Sequence, residues 1–293
     1  MIFKGAGTAL ITPFRNGKVD FEKYGELIDW QIEKGIDAIV ACGTTGEGST
    51  LSDEEHKRVM KYCVERVAGR VPVIAGTGSN DTNYGLQLSQ YAEKIGVDAL
   101  MLVTPYYNKT TQRGLIKHYQ MIADNVSTPM ILYNVPSRTG MKIEADTIIE
   151  LSNHKNIVAM KDATGDIGYA AEVLSRITND DFVIYSGNDD MIVPILSLGG
   201  VGVISVVSNV LPGQTHDLVM KYLEGDIEGS RKLQLGLLNF IQSLFIETNP
   251  IPVKTALNLM GFDVGELRLP LCEMEPSNKE KLRTAMVKAG LLR

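Results

Sequence analysis

The sequence repeats one pattern eight times, a short apolar run followed by a longer polar and apolar stretch. In chain order, the apolar runs are GTALITPF, IDAIVACG, VPVIAGTG, DALMLVTP, PMILYNVP, NIVAMKDA, FVIYSGND and VGVISVVS. All but the last precede a segment with helical periodicity, such as FEKYGELIDWQIEKG. Because alternating strands and helices build a parallel sheet, eight such units in 293 residues predict a closed (β/α)8 TIM barrel.

An open, doubly wound sheet is the alternative architecture for this pattern. The chain contains no G-x-G-x-x-G fingerprint of the kind that binds a dinucleotide in such sheets, so we favour the barrel. After the eighth run the pattern is helical only. We therefore predict a catalytic barrel over residues 1–212 and a C-terminal helical region over residues 213–293.

Composition excludes several classes of function. The net charge of -6 and the pI near 5.4 argue against a nucleic-acid or anionic-membrane surface. No apolar run approaches a membrane span, and the N-terminus does not resemble a signal peptide. The three widely spaced cysteines fit reduced thiols without a disulfide framework. We expect a cytoplasmic enzyme that acts on small metabolites.

The site of a barrel lies at the carboxyl ends of its strands, so the residues that end each apolar run are candidates. Two threonines follow the second run, two tyrosines follow the fourth, and a lysine ends the sixth. The complete set is Thr44, Thr45, Tyr106, Tyr107, Tyr133, Arg138, Lys161, Gly187 and Ile204.

Lys161 is the most informative of these residues. Taken alone, it is more often a snorkelling or ion-paired side chain than a nucleophile. At the end of a buried strand, however, desolvation lowers the pKa of a lysine and leaves a neutral amine that attacks a ketone. A phenol such as Tyr133 supplies the proton that expels water. The glycine-rich GTTGEG turn and Arg138 are suited to two carboxylates.

Other chemistries find no support in the sequence. The four histidines show no HxH or HExxH spacing, and Ser49 stands where a P-loop needs a lysine. We therefore expect neither a metal nor a cofactor.

The motifs GTTGEGSTL, VIAGTGSN, TPYYNK, YNVPSRTG, KDATG, LGGVGVISV and NPIPVK occur in this order across nearly the whole chain. Together they resemble the dihydrodipicolinate synthase family of pyruvate-dependent class I aldolases and lyases. The resemblance implies a barrel that condenses pyruvate with L-aspartate 4-semialdehyde to 4-hydroxy-tetrahydrodipicolinate, in the diaminopimelate route to lysine.

The same resemblance assigns roles to the candidates. Lys161 matches the Schiff-base lysine and Tyr133 the acid/base tyrosine, with Thr44 and Tyr107 completing the proton relay. Thr45 matches the binder of the pyruvate carboxylate. Arg138 matches the residue that binds the semialdehyde carboxylate. Gly187 and Ile204 match positions whose backbone lines the site. Tyr107 is expected to reach in from an adjacent subunit of a homotetramer built as a pair of tight dimers.

Three alternatives share part of this pattern. An N-acetylneuraminate lyase or a 2-keto-3-deoxy sugar acid aldolase would keep Lys161, Tyr133 and the GTTGE turn. Arg138 and the Tyr106-Tyr107 pair argue against both, because a polyhydroxylated substrate calls for hydroxyl partners in place of a carboxylate clamp. The third alternative is a non-catalytic keto-acid binding barrel. Nothing in the sequence favours it, because every expected catalytic position is filled.

Relatives that are inhibited by lysine hold it in a pocket at the tight-dimer interface. The matching region here is assigned to Ser49, His56, Asn80, Tyr84 and Tyr106. Gly48 replaces a serine, Asp53 replaces a histidine, and Tyr84 stands where a glutamate should bind the α-ammonium. We expect weak or absent inhibition by lysine, unless Asp53 supplies the missing carboxylate.

Overall fold

A computed structural model describes all 293 residues, and its central feature is a closed barrel of eight parallel strands. The strands are β1 (Gly5–Ala9), β2 (Ala38–Ala41), β3 (Val73–Gly76), β4 (Ala99–Val103), β5 (Met130–Asn134), β6 (Ile157–Asp162), β7 (Val183–Ser186) and β8 (Gly202–Ser205). Each strand pairs with the next along the chain, and β1 closes the barrel by pairing with both β2 and β8. The predicted barrel, with all eight strands, is confirmed.

Twelve helices surround or follow the barrel. They are α1 (Phe21–Glu33), α2 (Asp53–Val67), α3 (Thr82–Lys94), α4 (Gln112–Ala123), α5 (Pro136–Thr139), α6 (Ala145–Ser152), α7 (Ile167–Arg176), α8 (Ile192–Ser197), α9 (Pro212–Leu223), α10 (Ile227–Ser243), α11 (Ile251–Leu259) and α12 (Pro276–Lys288). Local sequence explains several of the starts, since a polar side chain caps the first turn and satisfies its free N–H groups. Ser52 and Glu55 form a reciprocal capping box at α2, and Asp20 caps α1.

Alternation along the strands divides the apolar core in two. One set of side chains points outward and packs under the helices, for example Leu100, Leu132 and Met160. The other set fills the barrel interior, including Ile131, Tyr133 and Ala159. Because strand side chains alternate in direction, a residue two positions after Ala159 also points inward. That residue is Lys161.

A hairpin of Phe14–Arg15 with Lys18–Val19 follows β1, and its two-residue strands are too short to leave a pattern in the sequence. The last part of the chain is helical, as expected, with α10 packed on α9 and on α12. Helix α9 follows β8 and packs on β1. The division of the chain into domains at residue 212 stays a prediction. None of the helices has both the length and the apolar character that crossing a membrane requires.

Candidate active site

A small cavity of about 160 Å³ opens at the carboxyl ends of the barrel strands. Six of the predicted site residues line it, namely Thr44, Thr45, Tyr133, Arg138, Lys161 and Gly187. They come from five separate loops or strand ends, so only the closed barrel brings them together. A cavity of this size suits a small keto acid.

Lys161 lies at the floor of this cavity with 5% of its surface exposed. Its amine stands 4.2 Å from the ring centre of Tyr133, its register partner on β5. The pKa of Lys161 is lowered to about 7, chiefly by burial; the negative charge of Asp189 opposes the shift, and the positive charge of Arg138 adds to it. A large fraction of this amine is therefore neutral near pH 7 and able to act as a nucleophile.

Tyr133 is buried beside the lysine with 6% of its surface exposed. Burial raises the pKa of its phenol, while the charge of Arg138 and a hydrogen bond with the Thr44 side chain work in the opposite direction. The phenol therefore stays protonated at neutral pH. It can donate a proton inside the cavity and be reprotonated through Thr44.

The turn between β2 and α2 carries both threonines, and the two face different surroundings. Thr44 is exposed, whereas Thr45 is only 3% exposed. The Thr45 hydroxyl accepts a hydrogen bond of 2.9 Å from Asn249 Nδ2. Asn249 is 4% exposed, lines the cavity, and has no hydrogen-bond partner for its Oδ1. Asn249 was not among the residues predicted from the sequence, although it lies in the NPIPVK motif.

Arg138 lies in a single helical turn, α5, and not in an irregular loop. Its Nη2 donates a hydrogen bond of 3.1 Å to the backbone oxygen of Asn249, which turns the guanidinium toward the cavity that both residues line. The other guanidinium donors remain free for a planar anion.

The two predicted backbone positions differ in placement. Gly187 lines the cavity, and a side chain there would come within 2.8 Å of Ala163 Cβ and 2.9 Å of Asp162 O, so only glycine fits without a shift. Ile204 is fully buried in the barrel interior and does not line the cavity, although Val206 does. The role of Ile204 stays a prediction.

Asp189 is a buried residue that the sequence analysis did not identify. Its carboxylate accepts hydrogen bonds from Ser205 Oγ at 2.5 Å and from the backbone N–H groups of Val206 and Val207, both at 3.0 Å. These bonds tie the end of β8 to the loop after β7. Burial raises the pKa of Asp189, and its charge acts on Lys161.

Tyr107 does not reach the cavity of its own chain. Its side chain is 91% exposed, and its backbone adopts φ 69°, in the left-handed region. Asn80 Nδ2 donates to Tyr106 O at 3.2 Å, and Asn108 Nδ2 donates to Asn80 O at 2.9 Å. These two bonds hold the loop that carries Tyr107. The Tyr107 phenol itself makes no hydrogen bond within its own chain.

A second cavity, of about 350 Å³, lies beside the first and shares Thr44, Tyr133 and Arg138 with it. Ser49, His56, Tyr84 and Tyr106 line it. The predicted fifth residue, Asn80, does not line this cavity but binds the Tyr106 backbone.

Several side chains around the second cavity are already paired within the chain. His56 Nε2 lies 2.9 Å from Gly76 O, and burial lowers its pKa. Asp53 accepts from the Tyr84 hydroxyl at 3.2 Å and from Lys57 Nζ at 2.8 Å. Its carboxylate therefore has two donors before any ligand arrives. No group of three or more His, Cys, Asp or Glu side chains is placed to hold a metal ion.

The dihydrodipicolinate synthetase family model matches residues 2–289. The chain belongs to this family. It is 56% identical over 291 residues to the 4-hydroxy-tetrahydrodipicolinate synthase of Acetivibrio thermocellus, and the alignment covers 99% of both proteins. The expected family membership is confirmed.

Solved structures agree in fold. The dihydrodipicolinate synthase of Thermotoga maritima superposes with a TM-score of 0.97 at 43% identity and full coverage of both chains. The chloride-inhibited dihydrodipicolinate synthase of Acinetobacter baumannii, complexed with pyruvate, superposes with a TM-score of 0.97 at 41% identity, also over both full chains.

Proposed function

We propose that this chain condenses pyruvate with L-aspartate 4-semialdehyde to 4-hydroxy-tetrahydrodipicolinate, as a lyase of the diaminopimelate route to lysine. The observation that carries the proposal is the Lys161 amine, which is buried against Tyr133 and has its pKa lowered to about 7. Family membership and the relative complexed with pyruvate support the substrate class.

In the first half of the proposed reaction, the neutral Lys161 amine attacks the C2 carbonyl of pyruvate. The Tyr133 phenol protonates the departing hydroxyl, so that water leaves and an iminium forms. The phenolate left on Tyr133 then takes a proton from C3, which gives an enamine and restores the phenol, and Thr44 links this phenol to solvent. Thr45 and the backbone N–H groups of its turn bind the pyruvate carboxylate.

In the second half, the enamine carbon attacks the aldehyde carbon of the semialdehyde and forms the new carbon–carbon bond, while the Tyr133 phenol protonates the developing alkoxide to the 4-hydroxyl and the iminium on Lys161 re-forms. The neutral amino group of the semialdehyde then displaces Lys161 from the iminium carbon, which closes the ring, regenerates the free amine and returns a proton to the Tyr133 phenolate. Arg138 holds the semialdehyde carboxylate through its planar guanidinium. Gly187 and Ile204 contribute backbone to the site.

We propose that Tyr107 completes the proton relay of a neighbouring subunit, within a tetramer built from two tight dimers. Its 91% exposure supports this placement. Mixing Tyr107→Phe chains with Lys161→Ala chains should create sites that have both groups intact, and activity should reappear. Hybrids that exchange subunits but stay inactive would contradict a shared site.

We also propose a cytoplasmic location for the enzyme. All three cysteines are free thiols, and two of them, Cys42 and Cys63, are buried. This state suits a reducing compartment.

Borohydride trapping tests the central step. Reduction in the presence of pyruvate should add one three-carbon adduct to the peptide that contains Lys161, and Lys161→Ala should add none. An adduct on another lysine, or no adduct on the wild-type chain, would overturn the assignment. A coupled assay that offers aspartate semialdehyde and, separately, sugar aldehydes then separates this function from that of a sugar acid aldolase.

A further inference from the structure

A buried ion pair joins helix α11 to the turn that carries Thr44 and Thr45. Lys254 Nζ lies 2.8 Å from Glu47 Oε1, and the two side chains are 1% and 0% exposed. Glu47 follows Thr45 by two residues and sits between Gly46 and Gly48. Charged side chains are rarely buried so completely unless they are paired, so the location of this pair beside the cavity calls for an explanation.

The Lys254 ammonium has no capacity left for a substrate. It donates to Thr12 O at 3.0 Å, Glu47 Oε1 at 2.8 Å and Glu266 O at 2.6 Å. An ammonium has three donors and no acceptor, so these oxygens satisfy all of them. The ring centre of Phe14 lies 4.5 Å away on another side. Lys254 therefore acts on the reaction only through the residues that it holds.

Glu47 is held at both carboxylate oxygens. Its Oε2 accepts the backbone N–H of Arg268 at 3.0 Å, so the C-terminal region binds it twice. Its backbone has φ 53°, in the left-handed region that residues with a side chain seldom adopt. Its N–H donates to Thr44 O at 3.1 Å, which links the conformation of Glu47 directly to the catalytic turn.

The residues on either side of Glu47 are confined as well. Thr12 Oγ1 donates to Gly46 O at 2.7 Å, and the same threonine accepts from Lys254 through its backbone oxygen. A side chain at Gly48 would come within 2.3 Å of Cys42 O. These contacts restrict the conformation of the turn. Lys254 bonds both to Glu47 within the turn and to Thr12 beside it.

We propose that Lys254 is a positioning residue, which holds the Glu47 turn so that Thr45 and the neighbouring backbone N–H groups face the pyruvate carboxylate. This inference rests on the proposed function for the identity of the ligand. Loss of the ammonium leaves a buried, unpaired carboxylate, and the turn relaxes to bring Glu47 to water. The cost then falls on pyruvate binding, because Lys161 and Tyr133 stand on other strands.

Lys254→Met tests the proposal, since it keeps the chain length and removes the charge. We expect the KM for pyruvate to rise about tenfold or more, while kcat falls by less, because uniform binding is lost. Borohydride trapping at saturating pyruvate should still modify Lys161. Adding Glu47→Gln to Lys254→Met should raise the KM no further than Lys254→Met alone, because residues that act through one another are not additive.

Asn156→Ala is the matched control. Its side chain binds Ala123 O and Val126 O at the opposite end of the barrel, so the change lowers stability without touching the turn. We expect a lower Tm in both variants and a changed pyruvate KM in Lys254→Met alone.

A pyruvate KM within about twofold of wild type in Lys254→Met, together with a lowered Tm, would show a purely structural role and overturn the proposal. Should Lys254→Met fail to fold, Glu47→Gln serves instead, and an unchanged KM there would overturn it equally. Wild-type chains that give no pyruvate adduct would count against the proposed function, whereas a wild-type adduct with an unchanged variant KM counts against the positioning role alone.

Discussion

The chain buries two lysines, Lys161 and Lys254, whose amines differ in hydrogen bonding. The Lys161 amine makes no hydrogen bond, and its pKa is lowered to about 7, chiefly by burial. Burial also lowers the pKa of Lys254, but the charge of Glu47 and its hydrogen bond oppose that shift. Both amines lie over an aromatic ring, at 4.2 and 4.5 Å. The two buried lysines thus differ in the oxygens that pair with the amine, and not in burial itself.

The largest effect on the reaction rate is expected from substitution of Lys161. Lys161→Met should lower kcat by at least about 10⁴-fold, because no other group can form the imine. The steady-state rate with pyruvate and semialdehyde measures this loss. Circular dichroism provides the control for folding, and pyruvate-dependent activity that survives with intact fold would contradict the role.

The same substitution at Lys254 should act on stability. Removing one partner of a buried ion pair costs about 3–5 kcal/mol, so the free energy of unfolding of Lys254→Met should fall by that amount. The free energy of unfolding of Lys161→Met should not fall, because burial of the wild-type amine opposes folding. With a folded pKa of about 7 against the ordinary 10.5, this cost is complete below pH 7 and disappears as pH rises toward 10.5. Denaturation of both variants at one protein concentration provides the measurement. Equal losses would remove the distinction between the two lysines.

Arg138 sharpens the comparison, because its charge acts on Lys161 and it is proposed to bind the second substrate. Arg138→Ala should cost about 2–4 kcal/mol, or about 30- to 1000-fold, in kcat/KM for the semialdehyde. Imine trapping with pyruvate should survive. Arg113→Ala, on the exposed face of α4, is the control for a lost surface charge. Loss of imine formation in a folded Arg138→Ala chain would contradict the assignment.

Free L-lysine carries a third ammonium, and the pocket predicted to bind it lacks a carboxylate placed as Glu47 is for Lys254. Tyr84 stands at the expected carboxylate position, and Asp53 is already engaged by Tyr84 and Lys57. Losing a hydrogen bond to a charged group costs about 1.5–3 kcal/mol, so lysine should bind about 10- to 150-fold more weakly than in a complete pocket. Titration of lysine at limiting pyruvate measures this, and Tyr84→Glu should strengthen inhibition. Strong inhibition of the wild type well below millimolar lysine would show that another group replaces the glutamate.

The smallest effect concerns pH. The neutral fraction of Lys161 grows as pH rises through about 7, so the rate of imine formation should fall about tenfold per unit below pH 7 and level off above it. Asp189→Asn removes a charge that raises the pKa of Lys161, and should move this profile to lower pH. A rate that climbs steadily to pH 9 would show that Lys161 is not desolvated.

Much of this arrangement could be predicted from the sequence. The apolar runs are long and regular, so strand period and count predicted the barrel, and the polar residues that end those runs predicted Lys161, Tyr133 and Thr45 as neighbours. Periodicity carries no information on contacts between distant loops. For that reason Asn249, Asp189 and the Lys254–Glu47 pair appeared only in three dimensions, although two of them lie in motifs that were already visible.

The sequence also does not show which buried charged side chains are paired with oxygen atoms. The immediate neighbours of Lys161 and Lys254 are alike, since both lysines follow apolar residues and precede small polar ones, so local sequence does not show which amine is paired. What separates them is the number of backbone oxygens within reach, which depends on how strands and loops from distant parts of the chain meet.

The bonds from Asn249 to Thr45 and from Lys254 to Glu47 span 204 and 207 residues of sequence. Synthesis proceeds from the amino end, so a nascent chain exposes its threonine turn long before the segment that fastens it has left the ribosome. Contacts this distant also slow the final assembly of a domain. A partly synthesised chain can thus pair strands of the barrel before it can bind pyruvate. The complete site forms only near the end of translation.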